Sequence, residues 1–252
     1  KWIEEFVPQY KKKIGLPFIA QTHPTFVKTK VITLLKEAGL QALMMGIQSG
    51  SERVRKEVFF RKTSDQHILN AVNILKEVNI PYVRYDLIHN NPYETRQDKL
   101  NTVNLLLKFP RPVGLNIFQL HWYPKTKLTE KALKEGIISE QQIEGKVTNK
   151  HAFQRGVTSF NYKEDIYFAN LYYLATSSYF PMTFVRFLSN YHFFERYPII
   201  IDNVVFFTKF LKFFFFGLNG LFKILQGKGS KENIFGGLEM LKRFIRPTDF
   251  QY

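Results

Sequence analysis

The stretch Met44–Ser64, MMGIQSGSERVRKEVFFRKTS, changes character twice. An apolar run stops at Gly46, a polar cluster crowded by Gly50 follows, and a basic segment with helical spacing then begins. A buried strand hands over to its covering helix in this way. The same pattern extends outward on both sides. Apolar runs at Leu16–Thr22, Ala42–Ser49, Tyr82–Asn90 and Leu115–Tyr123 alternate with helical patterns at Lys28–Leu40, at Glu52–Phe59 continuing through Ser64–Asn79, and at Thr95–Phe109. Strands that are apolar nearly throughout are covered on both faces, and strand–helix alternation of this length builds a parallel sheet. The expected fold class is α/β. Local punctuation agrees: Ser64 and Thr95 are placed as N-caps, Ser139 with Gln142 fits a capping box, and Pro24, Pro81, Pro92 and Pro124 sit where strands begin or end.

The chain has 252 residues, room for one large domain or two modest ones. Thirty-six Lys and Arg against twenty-one Asp and Glu give a net charge of +15, which favours phosphates, nucleic acid or an anionic membrane surface, although a basic solvated surface is the commoner meaning. With no cysteine, the chain by itself excludes disulfides, thiolate zinc sites, cysteine nucleophiles and a thiolate-held iron–sulfur cluster. No signal peptide pattern opens it. Trp2, Ile3, Phe6, Val7 and Tyr10 recur at helical spacing, so Lys1 falls inside a helix and the N-terminus looks cut.

Near Gly145 the alternation stops, and from His151 the sequence turns helical and aromatic. This divides the chain into an α/β region, 1–145, and a separate helical, Phe-rich region, 146–252. The run Val204–Leu225 approaches membrane-spanning length but contains Lys209, Lys212 and Lys223 with two glycines. A central lysine costs roughly 2.5–3.5 kcal/mol on insertion, which argues against spanning. Two readings stay open: a helical pair buried against the α/β part, or an interfacial basic–aromatic helix touching lipid headgroups.

In parallel sheets ligands bind beyond the carboxyl ends of the strands, where loops and helix N-termini present unpaired N–H groups. Gln21, Thr22 and His23 end the first candidate strand, Gln48, Ser49 and Ser51 the second, Asp86, His89, Asn90 and Asn91 the third, and Gln119, His121 and Tyr123 the fourth. Gln48 and Asp86 point from neighbouring strands. Glutamine offers a donor and an acceptor and an ionised aspartate accepts from two hydroxyls, a pairing that suits a vicinal diol such as a ribose; the alternative is that they bond each other or backbone. Gly46 and Gly50 imply close backbone approach to a ligand or a packed strand end. Their spacing fits neither a P-loop nor a dinucleotide fingerprint. A metal site on His23, His89 and His121 would require one mouth, and alternation sets His89 against Asn90.

Together, GIQSGSERVRKEVFFRKTS, YDLIHNNPYET and LNIFQLHWYPKTKLTEKALKEGII resemble the latter part of a radical S-adenosylmethionine enzyme, most closely the type preceded by a cobalamin-binding domain. The resemblance covers about Lys1 to Ile138 in order and spacing. It implies a partial TIM barrel, seen from its third strand onward and followed by the helical region. It also implies a [4Fe-4S] cluster, held by a Cys-x3-Cys-x2-Cys loop that is not in this chain, and S-adenosylmethionine bound by the later strands. Carried over by motif, Gln48 and Ser49 fall near the ribose, Asp86 on the acidic position that also faces it, and Gln21 on the third-strand polar position. Arg61 falls on a basic position that is structural or carboxylate-binding. Gly46, Gly50, Ser51 and Asn90 complete the expected cofactor set, and no metal ligand is assigned within the chain. Two motifs depart from the family: Asn90-Asn91-Pro92 stands where relatives often read Asp-Asn-Pro, with His89 in a usually apolar place, and Pro124-Lys125-Thr126 stands where they often read Pro-Gly-Thr.

The expected function is part of a radical enzyme that methylates, rearranges or cyclises a small molecule, a lipid-like one among the candidates, with an upstream cluster and cobalamin domain. On thiolate grounds this chain alone is expected to be inactive. A cluster-less nucleotide- or membrane-binding accessory protein is the alternative. An RNA-modifying relative is a third reading, though no RNA-binding module is evident. The expected location is cytoplasmic, peripheral to a membrane if the Phe-rich segment meets lipid.

Overall fold

The computed structural model describes residues 2–147 and 162–225. Helix α1 (Trp2–Lys13) leads into β1 (Phe18–Thr22), and three strand-to-strand crossovers follow through α2 (Thr29–Glu37), α3 (Asp65–Glu77) and α4 (Arg96–Leu106). They connect β2 (Leu40–Gln48), β3 (Tyr82–His89) and β4 (Gly114–Gln119). The strands form one four-stranded sheet in the order β1-β2-β3-β4, each pair parallel. This is the parallel sheet expected from the alternation, and sequential parallel strands joined by helices are the arrangement of a partial (β/α) barrel, which the resemblance implied.

Alternation along the strands separates two faces. Leu43, Met45 and Ile47 of β2 and Tyr85 and Leu87 of β3 are buried against Ile32, Ile68, Val72, Leu75, Val103 and Leu106 of the helices. On the other face, Gln21 pairs with Met44 in register, and Gly46, Asp86 and Asn116 stand in one row across β2, β3 and β4. This open face carries the polar side chains.

The expected helix at Glu52–Phe59 does not run on into the next. A π-helical turn at Val54–Val58 ends at Phe59, and α3 restarts behind a complete Ser64/His67 capping box. The break follows from Arg55, fully buried, whose Nη1 donates to the Ser49 carbonyl and whose Nε donates to the Thr63 carbonyl, both at 2.8 Å. Thr95 caps α4 with Asp98 as its reciprocal partner. Before α6 (Glu140–Val147) the Ser139 N–H donates to Gln142 Oε1 at 2.7 Å, one half of the expected box.

The fourth strand stops short of Tyr123. After Gln119 the chain peels away because Leu120 and Trp122 are buried in a second cluster with Ala132 of α5 (Lys127–Lys134), Ile138 and Ile143. Helix α7 (Tyr162–Thr176) then enters the main core through Tyr167, Phe168, Leu171 and Tyr172. The sheet and α7 therefore share one core. Helices α8 (Met182–Asn190), α9 (His192–Arg196) and α10 (Pro198–Leu225) complete the described chain. The Phe-rich run is one continuous helix rather than a pair: an isolated glycine costs a helix only about 1 kcal/mol, and Gly217 and Gly220 do not break it. No helix among the described residues is long and apolar enough to cross a membrane. The helical readings of His151–Asn161 and Asn233–Pro247 lie outside the described residues.

Candidate functional site

At the carboxyl end of β2 the register with β3 shifts between Gly46 and Gln48, and Gln48 adopts φ +73°. A bulge inserts a residue and re-aims its neighbours, and a non-glycine residue in the left-handed region costs on the order of 1–3 kcal/mol unless surroundings enforce it. Here the result is a side chain folded back over its own strand. A Cβ placed on Gly46 would lie 2.5 Å from Gln48 Nε2 and 3.7 Å from Arg61 Nη1. Gly46 is the floor on which the Gln48 amide and the Arg61 guanidinium meet.

Asp86 is beside Gly46 in register, and its Oδ1 accepts from Asn116 Nδ2 at 2.8 Å. Asn116 Oδ1 in turn accepts from Arg84 Nη1 at 2.8 Å, while Arg84 also bonds and lies over Tyr82. Burial raises the Asp86 pKa, and the Asn116 hydrogen bond and Arg84 charge counteract this in part. Burial also lowers the Arg61 pKa. Gln48 and Asp86 share the face without bonding each other, so both keep capacity for a third partner. Neither Asn116 nor Arg84 was identified from sequence. Asn116 could have been found, because it stands two residues before Phe118 on the face that the β3–β4 register gives to Asp86.

Gln21 lies at the exposed edge of the same face. Four other expected residues are placed differently. Ser49 does not turn its hydroxyl to the open face: it is buried and donates to Glu94 Oε1 at 2.7 Å. Ser51, also buried, donates to Asp98 Oδ1 at 2.6 Å. Gly50 makes room for α4 instead of a ligand, since a Cβ there would lie 2.3 Å from Thr102 Cα, and its N–H donates to Thr102 Oγ1 at 2.9 Å. Asn90 is buried at φ +59°, turning the chain at the end of β3. The corner's polar cluster thus serves mainly to fasten β2 to α4. Arg55 rather than Arg61 braces the turn.

The histidines that end strands do not share a mouth. His23 contacts Thr25 and Thr63, whereas His89 faces the helices, its Nε2 2.8 Å from the Asp165 carbonyl of α7. That contact gives the buried imidazole a hydrogen-bond partner. Among the described residues no group of three or more His, Cys, Asp or Glu is arranged to hold a metal.

The rim beyond β3 and β4 holds three buried polar atoms with no hydrogen-bond partner: Asn91 Nδ2, Glu94 Oε2 and Gln119 Oε1. An orphaned buried polar atom costs about 1–3 kcal/mol, which a ligand can recover. Burial pushes the Glu94 pKa up to about 7 against the Ser49 hydrogen bond and the Lys99 charge.

Comparison with known proteins shows similarity over the part of the chain that carries this geometry. Residues 2–106 match the model of the Radical SAM superfamily. The oxygen-independent coproporphyrinogen III oxidase of Helicobacter pylori is 24% identical over 136 residues, covering 54% of this chain and 29% of that protein. The structure of coproporphyrinogen III oxidase from Escherichia coli, described as a radical SAM enzyme, aligns with a TM-score of 0.41 at 20% identity, covering 55% of this chain and 32% of that one. The chain spans less than a third of the length of either relative.

Proposed function

From the radical SAM superfamily segment at residues 2–106, we propose that the protein is part of an enzyme binding S-adenosylmethionine on the open face of its sheet. The reaction class is radical-initiated modification of a small molecule. The convergence of Gln48, Asp86 and Asn116 at the strand ends, floored by Gly46, carries this reading.

These residues fit a nucleoside. Asp86 retains acceptor capacity for ribose hydroxyls, and Asn116, itself held by Arg84, fixes the orientation of its carboxylate. The Gln48 amide supplies a donor and an acceptor beside it. Arg61, within reach of Gly46, supplies a cation for the carboxylate of the methionine part. In this superfamily the bound cofactor is the source of the radical. The cluster does not fit the chain: with no cysteine it offers no thiolate, and no step is assigned to that group. The cobalamin-linked subtype, and with it methylation, rearrangement or cyclisation, rests on the sequence motifs. The coproporphyrinogen named for the relatives does not transfer, because the chain covers less than a third of the length of either. The absence of cysteine also favours one second reading, a cluster-less protein that binds the nucleotide without turnover.

Equilibrium binding of S-adenosylmethionine tests the site. Gln48→Ala and Asp86→Ala are each expected to weaken binding by about 0.5–3 kcal/mol, the range for losing a neutral or charge-assisted hydrogen bond. Unchanged affinity in both variants refutes the placement.

A further inference from the structure

Helices α8, α9 and the start of α10 carry apolar side chains on two sides. Val185, Leu188, Ile201 and Val205 are buried inward, as expected for helices closing a core. The outward side is also apolar. Phe184, Phe187, Tyr191, Phe193 and Tyr197 are all exposed, and Ile199 at the start of α10 is 67% exposed. The rings form a ladder of two exposed stacks, Phe184 to Phe187 at 5.6 Å with Phe187 to Tyr191 at 4.4 Å, and Phe193 to Tyr197 at 5.1 Å, joined through Phe194, which is half-buried against the core at 6.1 Å from Phe187 and 5.5 Å from Phe193. Scattered exposed hydrophobes need no explanation, whereas a contiguous patch marks an interaction surface.

The charges around the ladder indicate what covers it. The two acidic residues in this part of the chain are engaged, Glu195 with Arg96 at 2.9 Å and Asp202 with Asn170, while Arg186 and Arg196 are exposed. The whole chain carries +15. A second copy would bring like charge to the same patch, and an acidic headgroup layer would attract it. Aromatic rings interleaved with arginine, on helices that lie along a surface and do not span, are the chemistry of the membrane interface. We propose that the outward face of α8, α9 and the start of α10 docks on an anionic lipid surface. The rings enter the headgroup boundary, and Arg186 and Arg196 pair with lipid phosphates.

The test is flotation of the purified chain with vesicles of phosphatidylcholine alone, or of phosphatidylcholine with phosphatidylglycerol. Wild type is expected to bind the anionic vesicles about tenfold or more tightly than the neutral ones, and to be released by salt. The double variant Phe193→Ser/Ile199→Ser, with circular dichroism and melting unchanged, is expected to lose binding about tenfold or more. Arg186→Gln/Arg196→Gln should remove the preference for anionic lipid while leaving residual partitioning. If the serine variant does not fold, the arginine variant decides on its own. The proposal is overturned by equal binding to both vesicles, by no binding of wild type to either, or by wild type that dimerises without floating.

Discussion

Gly46 and Gly50 stand four residues apart in one corner and do opposite things. A methyl group on Gly46 clashes with the far end of the Gln48 side chain and merely touches Arg61, whereas on Gly50 it clashes with the Thr102 backbone. Gly46→Ala should therefore melt close to wild type yet weaken S-adenosylmethionine by displacing the Gln48 amide, read by calorimetry on the same preparation. Gly50→Ala should lose about 1–3 kcal/mol of stability or more in urea unfolding, since neither backbone can yield without separating β2 from α4. Lys125 makes a third case. It holds φ +61°, a conformation that glycine adopts without strain, so Lys125→Gly should stabilise the fold by up to about 1 kcal/mol, measured as a raised urea midpoint. The sequence showed that these glycines mattered. It did not show which one faced a ligand and which a helix, because both chemistries ask only for a missing Cβ.

At the level of elements, the seam between α4 and α7 is ionic and buried. Lys99 Nζ lies 2.8 Å from Asp165 Oδ1 and 3.2 Å from Glu164 Oε1, and although burial opposes its charge, these carboxylates raise its pKa overall. Removing one partner leaves buried charges uncompensated, so Lys99→Ala should cost about 3–5 kcal/mol in urea unfolding. Glu94, beside this seam, gives a pH dependence. Its carboxyl holds its proton up to about 7 in the fold against 4.5 for the ordinary group, so the folded state binds more protons than the unfolded one across that window. Stability should then fall as pH rises from 4.5 to 7, by roughly 3 kcal/mol at most, and Glu94→Gln should flatten that slope. Asp98 has the opposite sign. Despite burial, its bonds from Arg53, Ser51 and Thr95 hold it at about 2, so its contribution is present above 3.8 and is lost as pH falls through 2. The caps at Ser64 and Thr95 were legible because capping is local. Arg55 was not, since an arginine in a basic helix reads as solvated until the fold encloses it.

Over the whole molecule, the absence of cysteine makes a sharp prediction: supplied with S-adenosylmethionine under reducing conditions, this chain should release no 5′-deoxyadenosine, as followed by chromatography of the reaction mixture. The sequence by itself determined the α/β class, the order of strands and helices, and the placement of Gln48 and Asp86 on neighbouring strands. Each of these is written in periodicity or in position along a strand, which are local properties. Only the tertiary structure decided that Ser49, Gly50 and Ser51 belong to helix packing, that Asn116 and Arg84 orient Asp86, that α7 completes the sheet's core, and that the aromatic residues of α8 and α9 form one outward ladder. Those facts depend on which residues distant in sequence become neighbours. A side chain's partner is set by the register and crossover that bring it close, and its own residue type does not specify either.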